Sequence, residues 1–329
     1  MRVLAGDIGG TKTHLALYAV DGASKLEREE KFVSKDYPSL LEIVKLFLDE
    51  EKEKVDGACF GVAGPVREGK CKATNLAWMI DVEELRKELK TDAAWLINDI
   101  EADCWGINAL KEEDFFVINK GEKQEGNRAI VAAGTGLGEG GMYWDGKSHC
   151  PFACEGGHVD FAPRDEMEME LLRFLKRLHK HVSYERVVCG GGLYLLYRFL
   201  TDMRLENPSE ELTAEFALKS PASVISEKAL KGQDKACVRA LEWFMSIYAS
   251  ECGNVALKFL ALGGVYLGGG IAPKNLKAIN PETFMKSFSA KGRFAELLSS
   301  IPVKVILKDD SGIHGAVQYV VRLIAQTGR

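Results

Sequence analysis

Residues 4–13 read Leu-Ala-Gly-Asp-Ile-Gly-Gly-Thr-Lys-Thr, and this stretch decides the fold. An apolar strand runs into Asp7, a turn follows, and a second apolar run over residues 15–20 predicts a returning strand. Because glycine has no Cβ, backbone N–H groups at such a turn can approach an anion closely. Asp7 is placed to work with the Mg²⁺ that accompanies nucleotide phosphates. Taken alone, the same residues also suit an ordinary hairpin turn. The residues of the turn are Gly9, Gly10 and Thr11.

A second hairpin of the same kind spans residues 129–144, with a turn of Gly134, Thr135 and Gly136. The glycines of this stretch also fit the G-x-G-x-x-G fingerprint, but that fingerprint must open a helix. Residues 142–146 indicate a strand and a turn instead, which excludes a dinucleotide site. A P-loop is excluded because the Gly-Lys pair it needs is missing after Gly6. Two hairpins of the kind that binds phosphate, one in each half of the chain, predict a duplicated domain that closes over a nucleotide.

Composition indicates a soluble protein of two domains. The chain has 329 residues, 46% of them hydrophobic and 28% charged, and a net charge of −5. Chains of this length exceed the usual size of a single core, and we place one domain at 1–110 plus about 302–329 and the other at 111–301. The charge gives no sign of a nucleic-acid or membrane partner. The eight scattered cysteines suit reduced thiols in the cytoplasm.

Hydrophobic spacing predicts strands and helices in alternation. The helices are expected at residues 40–53, 82–89, 166–180, 236–262 and 313–326. The buried strands are expected at residues 56–62, 93–97, 265–267 and 301–307. The last strand and helix are expected to return to the first domain, where Gly312 and Gly315 would permit close packing.

Asn98 and Asp99 follow a buried strand, at the edge where open α/β sheets present their ligands. A carboxylate there can accept a proton from a substrate hydroxyl that attacks phosphorus. Asn and Asp are also preferred helix N-caps, and position alone favours that structural role.

Two further segments carry groups that suit a sugar. Glu155 and His158 lie on a glycine-flanked loop and offer acceptors and donors to neighbouring hydroxyls, and Glu185 is a third candidate. A structural histidine on a solvated loop is the alternative. His149, Cys150 and Cys154 lie near in sequence, but their spacing matches no standard zinc pattern.

Three glycines, residues 268–270, follow a predicted strand. They leave a flat backbone surface against which a purine ring could lie. Tight packing of a helix on a sheet would require the same residues, so both interpretations stay open.

Taken together, these motifs resemble those of the bacterial-type glucokinases, of the actin/hexokinase superfamily of ATPases. The resemblance runs in order from residue 3 to the closing helix. It implies an α/β, two-lobed actin-like ATPase with duplicated ribonuclease-H-like domains and its active site in the interdomain cleft. It also implies a homodimer and ATP-dependent phosphorylation of D-glucose at the 6-hydroxyl. The motifs are residues 6–11, 97–99, 134–138, 155–163, 182–187 and 267–271.

The resemblance also implies roles for individual residues. Asp99 would be the catalytic base, and Asp7 would act with Mg²⁺. The glucose hydroxyls would be held by Asn98, Glu155, His158 and Glu185, with Thr74 and Asn75 completing the pocket. The phosphates would lie against Gly9, Gly10, Thr11, Gly134, Thr135 and Gly136, and the adenosine against Gly269 and Gly270.

Other classes of function remain as alternatives. The chain could be a kinase for another hexose or for an N-acetylhexosamine, because the position of one hydroxyl on the substrate can decide which sugar is used. A sugar-sensing repressor would need a helix-turn-helix ahead of the first hairpin, where only two residues precede Val3. A non-sugar actin-like ATPase would leave Glu155, His158 and Glu185 without a role.

Overall fold

The computed structural model describes residues 1–49, 54–74 and 76–327. Internal contacts divide the chain into two units. The first comprises Met1–Glu112, Pro151–Ala153 and Lys308–Arg329, and the second comprises Glu113–Cys150 and Cys154–Leu307. None of the helices in the described ranges combines the length and apolarity needed to span a bilayer.

The first unit is built on a five-stranded sheet with the order β3-β2-β1-β4-β7. β1 pairs antiparallel with β2 and parallel with β4, and β4 pairs parallel with β7. β5 and β6 form a separate two-stranded sheet. The strands are β1 (Arg2–Ile8), β2 (Lys12–Asp21), β3 (Ala23–Val33), β4 (Gly57–Val62), β5 (Lys70–Lys72), β6 (Met79–Asp81) and β7 (Ala94–Asn98).

Both faces of this sheet are buried, which explains why β1 and β4 read as continuous apolar runs. Leu4 and Ile8 face one core, whereas Val3 and Ala5 face another, because successive side chains of a strand point to opposite faces. The helices of this part of the chain are α1 (Leu40–Asp49), α2 (Val82–Leu89) and α3 (Asp99–Ile107). The predicted end of the first helix, residues 50–53, lies outside the described residues.

The second unit repeats the plan. Its six-stranded sheet has the order β11-β10-β9-β12-β13-β8. β9 pairs antiparallel with β10 and parallel with β12, β12 pairs parallel with β13, and β8 is added antiparallel at the edge. The strands β10, β9, β12 and β13 therefore reproduce the order and directions of β2, β1, β4 and β7 in the first sheet, which confirms the predicted duplication. The strands are β8 (Phe115–Asn119), β9 (Arg128–Ala133), β10 (Leu137–Trp144), β11 (His149–Ala153), β12 (Gly264–Gly268) and β13 (Val303–Ile306).

Helices enclose one large apolar core in this unit, with Tyr248, Phe199, Phe244 and Phe288 among its fully buried side chains. The helices are α4 (Glu166–Lys176), α5 (Gly190–Asp202), α6 (Glu210–Leu218), α7 (Pro221–Leu230), α8 (Lys235–Phe259), α9 (Ile271–Lys274), α10 (Pro281–Ser289) and α11 (Ala295–Ser299).

The return to the first unit differs from the expectation. The strand β13 stays in the second sheet, where it occupies the place that β7 has in the first, so the return begins at Lys308 rather than near residue 302. The final helix, α12 (Ser311–Thr327), packs on α3. A Cβ on Gly315 would overlap the Ala102 carbonyl oxygen, so the two helices touch backbone to backbone, and Gly315 has the packing role that the sequence predicted.

Candidate active site

The turn between β1 and β2 is held from two sides. The Gly9 N–H donates to the Lys12 carbonyl oxygen at 2.9 Å. Ser34 backs the turn, since its Oγ donates to the Gly9 carbonyl at 2.8 Å and lies 3.0 Å from the Thr13 Oγ1. A side chain from beyond β3 therefore fixes the geometry of the residues that the sequence assigns to phosphate binding, Gly9, Gly10 and Thr11.

Asp7 lies on β1 directly before this turn and is paired in register with His14. Burial raises the pKa of Asp7 to about 6, the negative charges of Asp99 and Asp309 add to the rise, and Lys31 partly offsets it. Burial, and after it the neighbouring carboxylates, thus disfavour the ionised form of Asp7. A cation bound there would relieve this repulsion.

The structure shows which of Asn98 and Asp99 caps the helix that follows β7. Asn98 is the N-cap of α3, and its Oδ1 accepts from the Ile100 N–H at 3.0 Å. Its Nδ2 donates to the Gly64 carbonyl at 3.2 Å. Asp99 is the first residue of the helix and is only partly buried, so the capping interpretation applies to Asn98 and leaves the Asp99 carboxylate at the helix N-terminus.

Thr74 is exposed beside Gly64, the same residue that Asn98 contacts. Its N–H donates to the Ala63 carbonyl at 2.9 Å. The structure therefore brings Thr74 and Asn98 to one turn of the first unit. Asn75 lies outside the described residues.

In the second unit, the loop with Glu155 and His158 lies directly on β10. Residues Gly156–His158 form a 3-10 turn. A Cβ on Gly157 would overlap the Leu137 carbonyl oxygen, and a Cβ on Gly156 would overlap the Glu139 Oε2. The two glycines are needed because the turn has no space between its backbone and the strand.

Glu155, His158 and Glu185 form one cluster. The His158 Nε2 lies 3.9 Å from the Glu155 Oε2, and its Nδ1 lies 3.8 Å from the Glu185 Oε1. These separations exceed a direct hydrogen bond. The side chains of Glu155 and His158 are more than half exposed, at 59% and 58%. The cluster therefore presents the Glu155 carboxylate and the His158 imidazole to solvent, whereas the Glu185 side chain is only 26% exposed.

Glu185 also reaches the second glycine turn. It lies on a 3-10 helix, Tyr184–Arg186, and its Oε2 accepts from the Leu137 N–H at 3.0 Å. A Cβ on Gly136 would overlap the same oxygen. The cluster of Glu155, His158 and Glu185 is thus joined through one carboxylate to the predicted phosphate turn of the second unit. Ser183, the residue before this 3-10 helix, makes no capping hydrogen bond with its side chain.

The glycines after β12 lie against the end of β9. Gly269 has φ +71°, and a Cβ there would overlap the Ala133 carbonyl oxygen. The nearest atom to a Cβ on Gly134 would be the Gly270 nitrogen, at 3.9 Å. Close backbone packing accounts for Gly269, and it places Gly269 and Gly270 beside the turn of Gly134, Thr135 and Gly136.

His149 and Cys154, which were considered as zinc ligands, make hydrogen bonds to different backbone carbonyls. The Cys154 thiol donates to the Glu139 carbonyl at 3.1 Å, and the His149 Nε2 lies 3.0 Å from the Gly126 carbonyl. Across residues 1–49, 54–74 and 76–327, no group of three or more histidine, cysteine or acidic side chains is arranged to hold a metal ion.

Two acidic residues near Asp7 were missed by the sequence analysis. Asp103 accepts a hydrogen bond from the Ser311 Oγ at 2.6 Å, and burial together with Asp7 and Asp99 raises its pKa to about 7. Its spacing of four residues from Asp99 on one helix was a usable signal. Asp309 gave no such signal, because only the return of the chain to the first unit brings it near Asp7.

Comparison with known proteins decides the family. The glucokinase family model matches residues 4–323. The chain belongs to the glucokinase family. A curated glucokinase from Nostoc sp. is 42% identical over 98% of this chain and 99% of its own length. The activity of this family is the ATP-dependent phosphorylation of glucose, and the chain is accordingly a sugar-phosphorylating enzyme.

Solved glucokinase structures share the fold. The crystal structure of glucokinase from an Antarctic psychrotroph aligns with a TM-score of 0.84 at 29% identity, over 98% of this chain and 99% of that one. The glucokinase of Balamuthia mandrillaris, crystallised with glucose, aligns with a TM-score of 0.82 at 22% identity, over 98% and 93%. The predicted class, an α/β actin-like ATPase with duplicated ribonuclease-H-like domains, is confirmed.

Proposed function

We propose that this glucokinase transfers the γ-phosphoryl group of ATP to the 6-hydroxyl of D-glucose, with Asp99 as general base. The observation that carries the proposal is the cluster of Glu155, His158 and Glu185. Its two carboxylates and its imidazole lie about 4 Å apart without hydrogen bonding to one another, so they can accept from and donate to the hydroxyls of one sugar. Asn98, Thr74 and Asn75 are proposed to bind the same sugar.

The Asp99 carboxylate is suited to take the proton of the attacking hydroxyl. It lies at the N-terminus of α3, where the helix dipole favours the ionised form, and the ionised form is the one that can accept a proton. Asn98 supports this position, because as N-cap it fixes the first turn of the helix. In phosphoryl transfer, such a base orients the attacking hydroxyl and removes its proton.

The two glycine turns are proposed to bind the phosphates of ATP through backbone N–H groups, with Gly269 and Gly270 against the adenosine. The donor set around Asp7 fits Mg²⁺, which takes oxygen ligands and usually one or two carboxylates together with substrate phosphates. When bound, the ion neutralises charge on the β- and γ-phosphates. Asp7 would hold it, and the repulsion from Asp99 and Asp309, which adds to the effect of burial on the pKa of Asp7, would be relieved.

The test of the proposal is ADP release from MgATP with D-glucose, beside fructose, mannose, N-acetylglucosamine and no sugar. Strong release with glucose alone supports the proposal. Preference for another sugar would keep Asp99 in its role but reassign the hydroxyl contacts. Equal release without sugar would contradict the sugar site itself.

Replacing Glu155 by Gln is expected to raise the KM for glucose about tenfold and to change kcat less. The substitution keeps the shape but removes a charged acceptor, and hydrogen bonds to charged groups contribute about 1.5–3 kcal/mol. Initial rates over a glucose series, at saturating MgATP, measure the effect. Glu166→Gln, on the exposed start of α4, is the matched control. An unchanged KM would remove Glu155 from the sugar site.

We further propose that the enzyme is a cytoplasmic homodimer. All eight cysteines are free thiols, which supports a reducing compartment. The dimer rests on the resemblance to the family. Light scattering after size-exclusion chromatography tests it, since a mass near the 36.3 kDa of one chain would contradict it.

A further inference from the structure

Two buried carboxyl groups meet inside the second unit. Glu139 lies on β10 with 2% of its surface exposed, and Glu251 lies on α8 with none. Glu251 is the charged neighbour that most raises the pKa of Glu139, and it also acts on Glu139 as a hydrogen-bonding partner. Since two carboxylates cannot donate to each other, one proton must be present for this contact to be favourable.

The surroundings assign that proton to Glu139. Glu251 accepts from the Asn254 Nδ2 at 2.7 Å and from the Lys258 Nζ at 3.2 Å, so its anionic form is compensated. The Oε1 of Glu139, by contrast, is buried without a partner in the described part of the chain. Burial, followed by the charge of Glu251, raises the pKa of Glu139 to about 8.

This pair supports the segments that carry the proposed sugar ligands. Gly156 packs against the Glu139 Oε2, and the Cys154 thiol donates to the Glu139 carbonyl at 3.1 Å. On the other side, the Tyr184 hydroxyl contacts Glu251 and accepts from the Asn254 Nδ2 at 3.0 Å. Residues 154–158 and Tyr184, the neighbour of Glu185, therefore both rest on the two carboxyl groups.

We propose that Glu139 and Glu251, sharing one proton, are positioning residues that hold Glu155, His158 and Glu185 in the geometry that binds glucose. Loss of the proton places two negative charges in contact beneath the loop, and the strand and helix that carry them then separate. The inference rests on the proposed function, because it concerns the same sugar site. It adds a pH-dependent control of glucose affinity.

The charged and titratable groups that face the pair of Glu139 and Glu251 come from three segments. Glu251, Cys252 and Tyr248 lie on α8 together with Lys258, whose positive charge lowers the pKa of Glu139. Cys154 with Glu155, and Tyr184, face the pair from the loop segments. Burial raises the pKa of Cys154 and of Tyr184 above their ordinary values, so both stay protonated as Glu139 titrates.

The sign of the pH effect follows from the raised pKa. An exposed glutamate loses its proton near pH 4.3, whereas Glu139 keeps its proton to about pH 8. Between these values the folded protein binds the extra proton, so its stability falls as pH rises and levels off above pH 8. Glucose binding is expected to be constant up to about pH 7.5 and to weaken above it.

The experiment is calorimetric titration of the whole protein with glucose, without nucleotide, from pH 6.5 to 9.5. If only the protonated form binds, the Kd at pH 9 is about tenfold above its value at pH 7. Glu139→Gln keeps the shape and a donor towards Glu251, and it cannot ionise. Its Kd is expected to match that of the wild type at pH 7 and to stay flat to pH 9. Glu282→Gln, exposed at the start of α10, is the control and should follow the wild type.

A second variant covers the case in which Glu139→Gln does not fold. Lys258 is 45% exposed, and Lys258→Gln removes the charge that lowers the pKa of Glu139. The rise in Kd should then move to higher pH. A flat Kd in the wild type, or the same rise in Glu139→Gln, would overturn the inference while glucose binding at pH 7 still supports the proposed function. Absence of glucose binding at every pH would contradict the proposed function itself.

Discussion

Asp99→Asn is expected to lower kcat by roughly 10²–10⁴-fold, the usual contribution of general base catalysis. The amide keeps the size of the side chain and can still accept a hydrogen bond, but it cannot take the proton of the 6-hydroxyl. The fold should persist, because a charge at a helix N-terminus contributes only about 0.3–1 kcal/mol and Asn98 remains as the N-cap. The Kd for glucose should therefore change little.

Single-turnover rates and glucose titrations on the same preparation separate the two effects. Asp92→Asn is a suitable control, because Asp92 is exposed and lies just before the opposite end of β7. Near-normal turnover in Asp99→Asn would reject Asp99 as the base. A Kd that rises as much as kcat falls would assign Asp99 to binding instead.

Gly157→Ala is expected to abolish most glucose phosphorylation by displacing the loop that carries Glu155 and His158. The added Cβ would overlap a backbone oxygen of β10, the Leu137 carbonyl, which cannot rotate away as a side chain can. Forcing extra atoms into a packed interior costs about 1–3 kcal/mol. A displacement of about 1 Å can reduce catalysis by 10²-fold. We expect a fall of about that size in kcat/KM, carried mainly by the KM for glucose.

Gly191→Ala is the matched control for this change. Gly191 lies in the first turn of α5, and the nearest atom to its added Cβ would be the Cys189 Sγ at 3.7 Å, an ordinary contact. Alanine in a helix is favoured over glycine by up to about 1 kcal/mol, so this variant should be as stable as the wild type or more so. Equal kcat/KM in both variants would show that the loop tolerates a Cβ at Gly157.

Much of the fold could be read from the sequence because it is encoded locally. Each glycine turn is flanked by apolar runs, and the same pattern occurring twice predicted the duplicated sheet. The helix at residues 82–89 was placed correctly because apolar residues recur there every three or four positions. The last strand was assigned to the wrong unit. It is only four residues long, Val303–Ile306, and its sequence does not indicate which sheet it joins.

The candidate site was predicted only in part, for a similar reason. Motifs selected Asp7, Asp99, Glu155, His158 and Glu185, and the roles of these residues in binding and catalysis stay predictions. The sequence did not reveal that Asn98 rather than Asp99 caps α3, because either residue type suits that position.

What the sequence by itself determined is the pair of hairpins, the two-sheet plan and the chemical character of the loops. These follow from patterns over a few residues, where backbone and side-chain preferences act locally. Only the tertiary structure decided that Asp309 approaches Asp7, that Glu185 binds the Leu137 N–H, and that Glu139 meets Glu251. Such contacts join residues 48 to 302 positions apart, and their energies depend on burial, which no local pattern specifies.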